Sequence, residues 1–209
     1  MPNVDQLTLA NDVFHRLERH GSQHRPASQL VASAAIQVGF VRLAMGIARW
    51  SQESNGHNEI QQRLSNEQFD VIMLAPIDFS SRAAMTSMDL CAAAAYRLSG
   101  VQPLPNDRES DVNHLQFEVQ RGRVTLRPSI RSWMNQLVAS SQWQLLSLVR
   151  TVVTHRAVEG HSYLGSGPPS TELVLDGIEY DNVTLTSKQA KFVELQFAGY
   201  VKAVLSDFP

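Results

Sequence analysis

The sequence predicts a mainly α fold: an up-and-down helical bundle with a small β-hairpin inserted before its last helix. Three observations carry this. Apolar residues recur at helical spacing along most of the chain. An alanine-rich run near its middle, Ser-Met-Asp-Leu-Cys-Ala-Ala-Ala-Ala-Tyr-Arg-Leu98, has high helix propensity. Near the C-terminus, two short segments flank Asp176-Gly177, a hairpin turn signal because glycine tolerates positive φ.

The first helix is expected over residues 5–19, with Leu7, Leu9, Val13, Phe14 and Leu17 apolar. Gly21 to Pro26 breaks it, and a long helix follows from about Ser28 to Trp50. Its stretch Val31 to Ala48 is interrupted by Gln37 and Arg42, and a central arginine is costly in a bilayer, so no membrane span is expected. It reads as a buried helix packed closely through Ala35, Gly39 and Gly46. A third helix is expected from about Asn58 to Met73, stopped by Pro76. Asp78 then suits the N-cap of a helix over Phe79 to Leu98. Asp89 within it is either a surface residue at one edge or a partner for a cation in the bundle; the exposure of most charged helix residues favours the surface.

Ser99 to Pro128 is a break in which Leu115 to Val119 alternates apolar and polar, and Val124 to Leu126 follows a glycine, as in a small hairpin. Pro128 suits the first turn of a helix over Ser129 to Ala139. Ser140-Ser141 then marks either a kink or a new start, with either serine able to cap the helix that carries Trp143 to His155. Gly160 to Ser170 is a loop by composition, and residues 171–185 form the hairpin. Thr186 or Ser187 caps a last helix reaching about Leu205. Trp50, Trp133 and Trp143 are expected in the core. The whole chain, 1–209, reads as a single domain, with 28–205 as its core and 1–27 as an N-terminal helix.

Composition narrows the function. With 43% apolar and 18% charged residues the chain can bury a core and is not disordered by composition. The lone Cys91 excludes an intramolecular disulfide and a cysteine-based zinc cluster, which suits a reducing cytoplasm. The N-terminal Met-Pro-Asn-Val-Asp-Gln lacks the basic-then-apolar pattern of a secretory signal, so a cytoplasmic protein is expected. His15, His20 and His24 read as solvated surface groups, and no metal site or cofactor is expected. Gly160 to Gly167 lacks the Lys-Ser/Thr of a P-loop, and there is no Gly-x-Ser-x-Gly elbow.

Net charge is −2, yet Val119 to Val158 holds no Asp or Glu while carrying Arg121, Arg123, Arg127, Arg131, Arg150 and Arg156. A local basic stripe on a near-neutral protein suits a phosphate backbone or, as ordinary surface, arginines paired with acids elsewhere in the fold.

The run Leu-x-x-Leu-Val-Arg150-x-Val-Val-x-His155-Arg156, late in the chain, follows an alanine-rich helix and precedes a final one. In this it resembles the HEPN domains, helical bundles with an Arg-x4-His motif, many of them metal-independent ribonucleases or toxins. The resemblance implies Arg150 and His155 as catalytic residues, with Arg121, Arg123, Arg127, Arg131 and Arg156 holding RNA. It also implies a homodimer with the motif helices side by side. A partner protein such as a nucleotidyltransferase-type antitoxin belongs to the alternative, a non-catalytic module of the same build in a toxin-antitoxin or defence system. One departure stands out: active members usually carry Asn, Asp or His after the arginine, and here that residue is Thr151. On an ideal helix positions 150 and 155 lie about 140° apart. Either the helix ends near Thr154 and frees His155, or the two groups meet across a dimer.

Overall fold

A computed structural model gives the fold and describes residues 5–53, 58, 62–63, 66–101, 111–159, 172–175 and 178–209, without the side chains of 66–74, 152–159 and 172–179. Seven helices among the described residues take up about two thirds of the chain and pack together, as expected of a mainly α bundle.

Helix α1, Gln6–Arg19, starts where Asp5 accepts a hydrogen bond from Leu7 N at 3.1 Å, and it buries Ala10, Val13 and Leu17. A single 3-10 turn, Ser22–His24, leads into α2, Arg25–Gln52, with Pro26 in its first turn. Helix α2 lays an Ala/Val face (Val31, Ala34, Ala35, Val38, Val41, Ala44) against α1, α3 and α7. Gly39 and Gly46 do not share that face as expected. They lie on the solvent side, where an added Cβ would meet nothing within 4 Å. Trp50 is likewise out of the core, 46% exposed, whereas Trp133 and Trp143 are buried.

Helix α3, Asn66–Leu98, runs straight through Pro76. The expected stop there fails because a proline costs a helix one hydrogen bond, and the long Ala/Met/Cys face beyond it compensates by burial. Asp78 consequently lies inside α3, bonded to Arg82 one turn on at 2.7 Å, and caps nothing. The part of the expected 58–73 helix before Asn66 lies largely outside the described residues.

The alternation at Leu115 to Val119 is not a strand but α4, Val112–Gln120. Asp111 caps it by accepting from His114 N at 2.7 Å, and Val112 and Leu115 turn inward at helical spacing. A five-residue window fits both periods, and the cap decides between them. Positive φ at Gly122 ends the helix, and the extended connection behind it still buries Val124 and Leu126.

Helix α5, Pro128–Ala139, and α6, Ser141–Glu159, are separate. Ser140 is extended, and its Oγ accepts from Trp143 N at 3.1 Å, so it closes one helix and opens the next. The antiparallel strands β1, Glu172–Leu175, and β2, Ile178–Asp181, pair Leu175 with Ile178. Asp176-Gly177, like Gly160 to Ser170, lies outside the described residues. Asp181 caps α7, Asn182–Asp207, accepting from Thr184 N at 2.8 Å, so this helix begins one turn before Thr186. Helix α7 is last in sequence but central in space: it touches α1, α2, α3 and α5 and buries Phe197 and Tyr200 completely.

One of these helices passes the length and composition test for crossing a membrane: residues 22–52, with a mean hydropathy of 1.8 in its best window. Its Ala/Val face is core, so that hydropathy is partly accounted for by packing.

Candidate nucleic-acid interface

Arg150 lies on the exposed side of α6 at the seam with α3. Its Nη1 donates to the sulfur of Met85 at 3.8 Å. One turn further along α3 is Asp89, whose Oδ1 accepts from Val112 N at 3.1 Å at the start of α4. Asp89 is therefore neither a free surface group nor a simple ion-pair partner. It is a half-buried second cap of α4, and Arg150 acts on it through its field. Burial pushes its carboxyl up to about 6, with Asp111 adding to the rise; the Val112 hydrogen bond and the Arg150 charge work the other way.

On the far side of Arg150, α6 borders an open groove of about 500 Å³ shared with α4. Gln144, Ser147 and Thr151 offer amide and hydroxyl groups from α6, and Asn113 and Gln116 face them from α4. Trp143, Leu148 and Val138 supply apolar surface. Such a lining can meet a nucleobase on its edge or its face, while Arg150 lies outside it, on the α3 side of the same helix. Gln144, Ser147 and Thr151 recur at helical spacing along α6, a signal in the sequence that could have pointed to the groove.

His155 does not stand at a helix end, because α6 continues to Glu159. The helix thus does not free it to turn toward Arg150, and the two positions stay about 140° apart around one axis. Position 155 falls one turn beyond Thr151 on the groove side of the helix. The side chains of His155 and Arg156, and the Gly160 expected to end the helix, lie outside the described residues. The hydroxyl of Thr151 donates to Ser147 O at 2.9 Å, within its own helix.

The remaining arginines are only partly available. Arg121 stacks on the exposed Phe117 ring, 4.0 Å from its centroid. Arg123 pairs with the buried Glu118 at 3.2 Å. Arg127 stacks on Phe208 at 3.9 Å and donates to Asp207 O at 2.8 Å. Arg131 is exposed and has no carboxylate partner among the described residues. The stripe is therefore divided: Arg123 and Arg127 serve the fold, while Arg121 and Arg131 face solvent.

The three N-terminal histidines do not converge. His20 Nε2 lies 2.9 Å from Pro209 O, His24 packs its ring on Phe208, and His15 on Phe14. Burial, then Arg127, then His20 hold the His24 imidazole below its usual range. No cluster of metal-ligating side chains occurs among the described residues.

Compared with known proteins, the chain matches no family model, no curated protein and no solved structure.

Proposed function

We propose that this protein binds RNA along the α4–α6 groove, with Arg150 on a phosphate, and that it is an HEPN-like, metal-independent endoribonuclease. The observation that supports the binding half is a groove lined by amides and hydroxyls on the same helix that carries the exposed Arg150. The catalytic half rests on the resemblance of the Arg150–His155 segment. In that reaction His155 takes the proton of the ribose 2′-hydroxyl while its oxygen attacks the adjacent phosphorus. The bond from phosphorus to the 5′-oxygen breaks, that oxygen takes up a proton, and a 2′,3′-cyclic phosphate and a 5′-hydroxyl end result. Arg150 stabilises the extra negative charge on the phosphoryl oxygens. An imidazole titrating near neutrality suits the proton transfer. Because positions 150 and 155 diverge on one helix, His155 of a second copy completes the site.

One observation favours a second reading, a binding module of the same build whose partner is a protein such as a nucleotidyltransferase-type antitoxin. The Thr151 hydroxyl donates within its own helix, so the position after the arginine offers no free donor to a reacting phosphate.

Arg150→Ala and His155→Ala, assayed for RNA binding and for cleavage in the presence of EDTA, separate the two. For a ribonuclease, both variants stop cleavage and a mixture of them recovers part of it, while only Arg150→Ala weakens binding by about tenfold, as for one lost phosphate contact. Wild type that binds RNA without cutting it overturns the catalytic half. Binding unaffected by Arg150→Ala overturns the groove.

A further inference from the structure

Apart from Leu7, Phe117 and Leu195, the exposed large apolar side chains among the described residues are not scattered. Ile36, Phe40, Leu43, Ile47 and Trp50 all lie on α2, each between 39% and 54% exposed. Their spacing alternates four and three residues over about 21 Å of helix. That is the a/d seam of a two-helix coiled coil, a pattern that surface composition alone does not require. Phe79 of α3, 41% exposed, adjoins it with its ring centroid 5.8 Å from that of Phe40. By contrast, no large apolar side chain is exposed on the described part of α6.

The occupant can be read from the sizes along the seam. Gly39 and Gly46 sit on the same exposed face with nothing within 4 Å of an added Cβ, so each leaves a gap beside a large side chain. If a second α2 lies antiparallel across the first with the twofold axis at Leu43, Phe40 falls opposite Gly46 and Ile47 opposite Gly39. The twofold repeats both matches, and Ile36 meets Trp50 at each end. Arg49 then faces Gln37, so no like charges oppose one another. A parallel pairing instead sets Phe40 on Phe40, glycine on glycine and Arg49 on Arg49. The six side chains present roughly 600 Å² per chain, so two such faces reach the lower end of the roughly 1,200–2,000 Å² that specific interfaces bury.

We infer that α2 is a homodimer interface, in which two copies cross antiparallel at Leu43 with Phe40 and Ile47 seated in the Gly46 and Gly39 gaps of the partner. This needs no part of the RNA reading: the contact is separate from the α6 pairing that the cleavage scheme requires, and each can form without the other.

The test uses the whole chain. Sedimentation at tens of micromolar should give twice the 23.3 kDa chain mass, or four times it where α6 pairs as well. Leu43→Glu, which sets two carboxylates face to face at the axis, should weaken dimerisation by about two orders of magnitude while leaving the circular dichroism unchanged. Disulfide trapping reports the geometry without relying on that variant. Cys91 is fully buried and does not compete. Leu43→Cys should link to itself, and a mixture of Ile36→Cys and Trp50→Cys should link to each other. Ile36→Cys alone should not, since its two copies would stand about 21 Å apart along the axis, beyond disulfide reach. A wild-type monomer, a dimer indifferent to Leu43→Glu, or self-linking of Ile36→Cys each overturns the proposal. So does a monomer that co-sediments with phosphatidylcholine–phosphatidylglycerol vesicles through Leu43, which would assign the face to lipid.

Discussion

Asp89 shows how much one carboxyl can be asked to do. It holds the first amide of α4, lies within the field of Arg150, and is half-buried. Its carboxyl is pushed up to about 6 from an ordinary 3.8 by burial first and Asp111 second. Between those two values the folded chain keeps a proton that the unfolded chain has released, so its contribution to stability falls as pH rises from about 4 to about 6. Asp89→Asn retains an oxygen for Val112 N and removes the charge. Denaturation midpoints should therefore coincide near pH 4, and the variant should be the more stable protein at pH 8. The groups facing Asp89 are Asp111 on α4 and Arg150 on α6, with the thiol of Cys91 on its own helix held un-ionised by burial. Equal midpoints at both pH values would mean the carboxyl is better solvated than its surroundings imply. The sequence marked Asp89 out within its alanine-rich run but favoured the surface for it, because its environment is assembled from three segments far apart in the chain.

Helix caps were legible only in part, although a cap is a local pattern of a short polar side chain before an apolar run. Ser140 was one of the two serines expected to open α6, with a kink there left open. Asp5, by contrast, was placed inside the first helix, and Asp78 was expected to cap a helix that in fact runs through it. Asp111 and Asp181 obey the same rule but were passed over for Leu115 to Val119 read as a strand and for Thr186. Thr186 in fact turns inward and donates to Asn182 O at 2.7 Å. Asp181→Ala should cost about 1 kcal/mol at neutral pH. Its carboxyl is held below the usual range by its hydrogen bonds to Thr184, so this stabilisation is fully present above about pH 4 and disappears as pH falls through the lowered value. Thermal melts of the pair at pH 7 and pH 2.5 should converge at the acid end. Pro76 was misjudged for the opposite reason: a local rule was outweighed by long-range burial that only the assembled helices reveal. The groove was only faintly legible for a related reason, since Asn113 and Gln116 of its lining come from α4 and Val138 from α5.

At the scale of the molecule, the arginine stripe resolves into two populations with different expected phenotypes. Arg131→Ala should leave melting unchanged and reduce the salt slope of RNA binding by about one, the loss of one phosphate contact. Arg127→Ala should lower the melting temperature, because it removes both the stack on Phe208 and the hydrogen bond to Asp207 O. Anisotropy titrations at several salt concentrations, paired with melts, distinguish them; equal slopes for wild type and Arg131→Ala would return Arg131 to plain surface. Phe208 itself is enclosed by Arg127, His24, His20 and a hydrogen bond from Arg16 to its carbonyl at 3.4 Å. These partners belong to α1, the turn that follows it and the start of α5. On the ribosome they are made long before residue 208 is added, and α7, which fills the centre, follows them as well. The nascent chain can therefore pair α2 with α1 and α3 early, but the surface these helices offer to α7 stays uncovered until residues 182–207 are made.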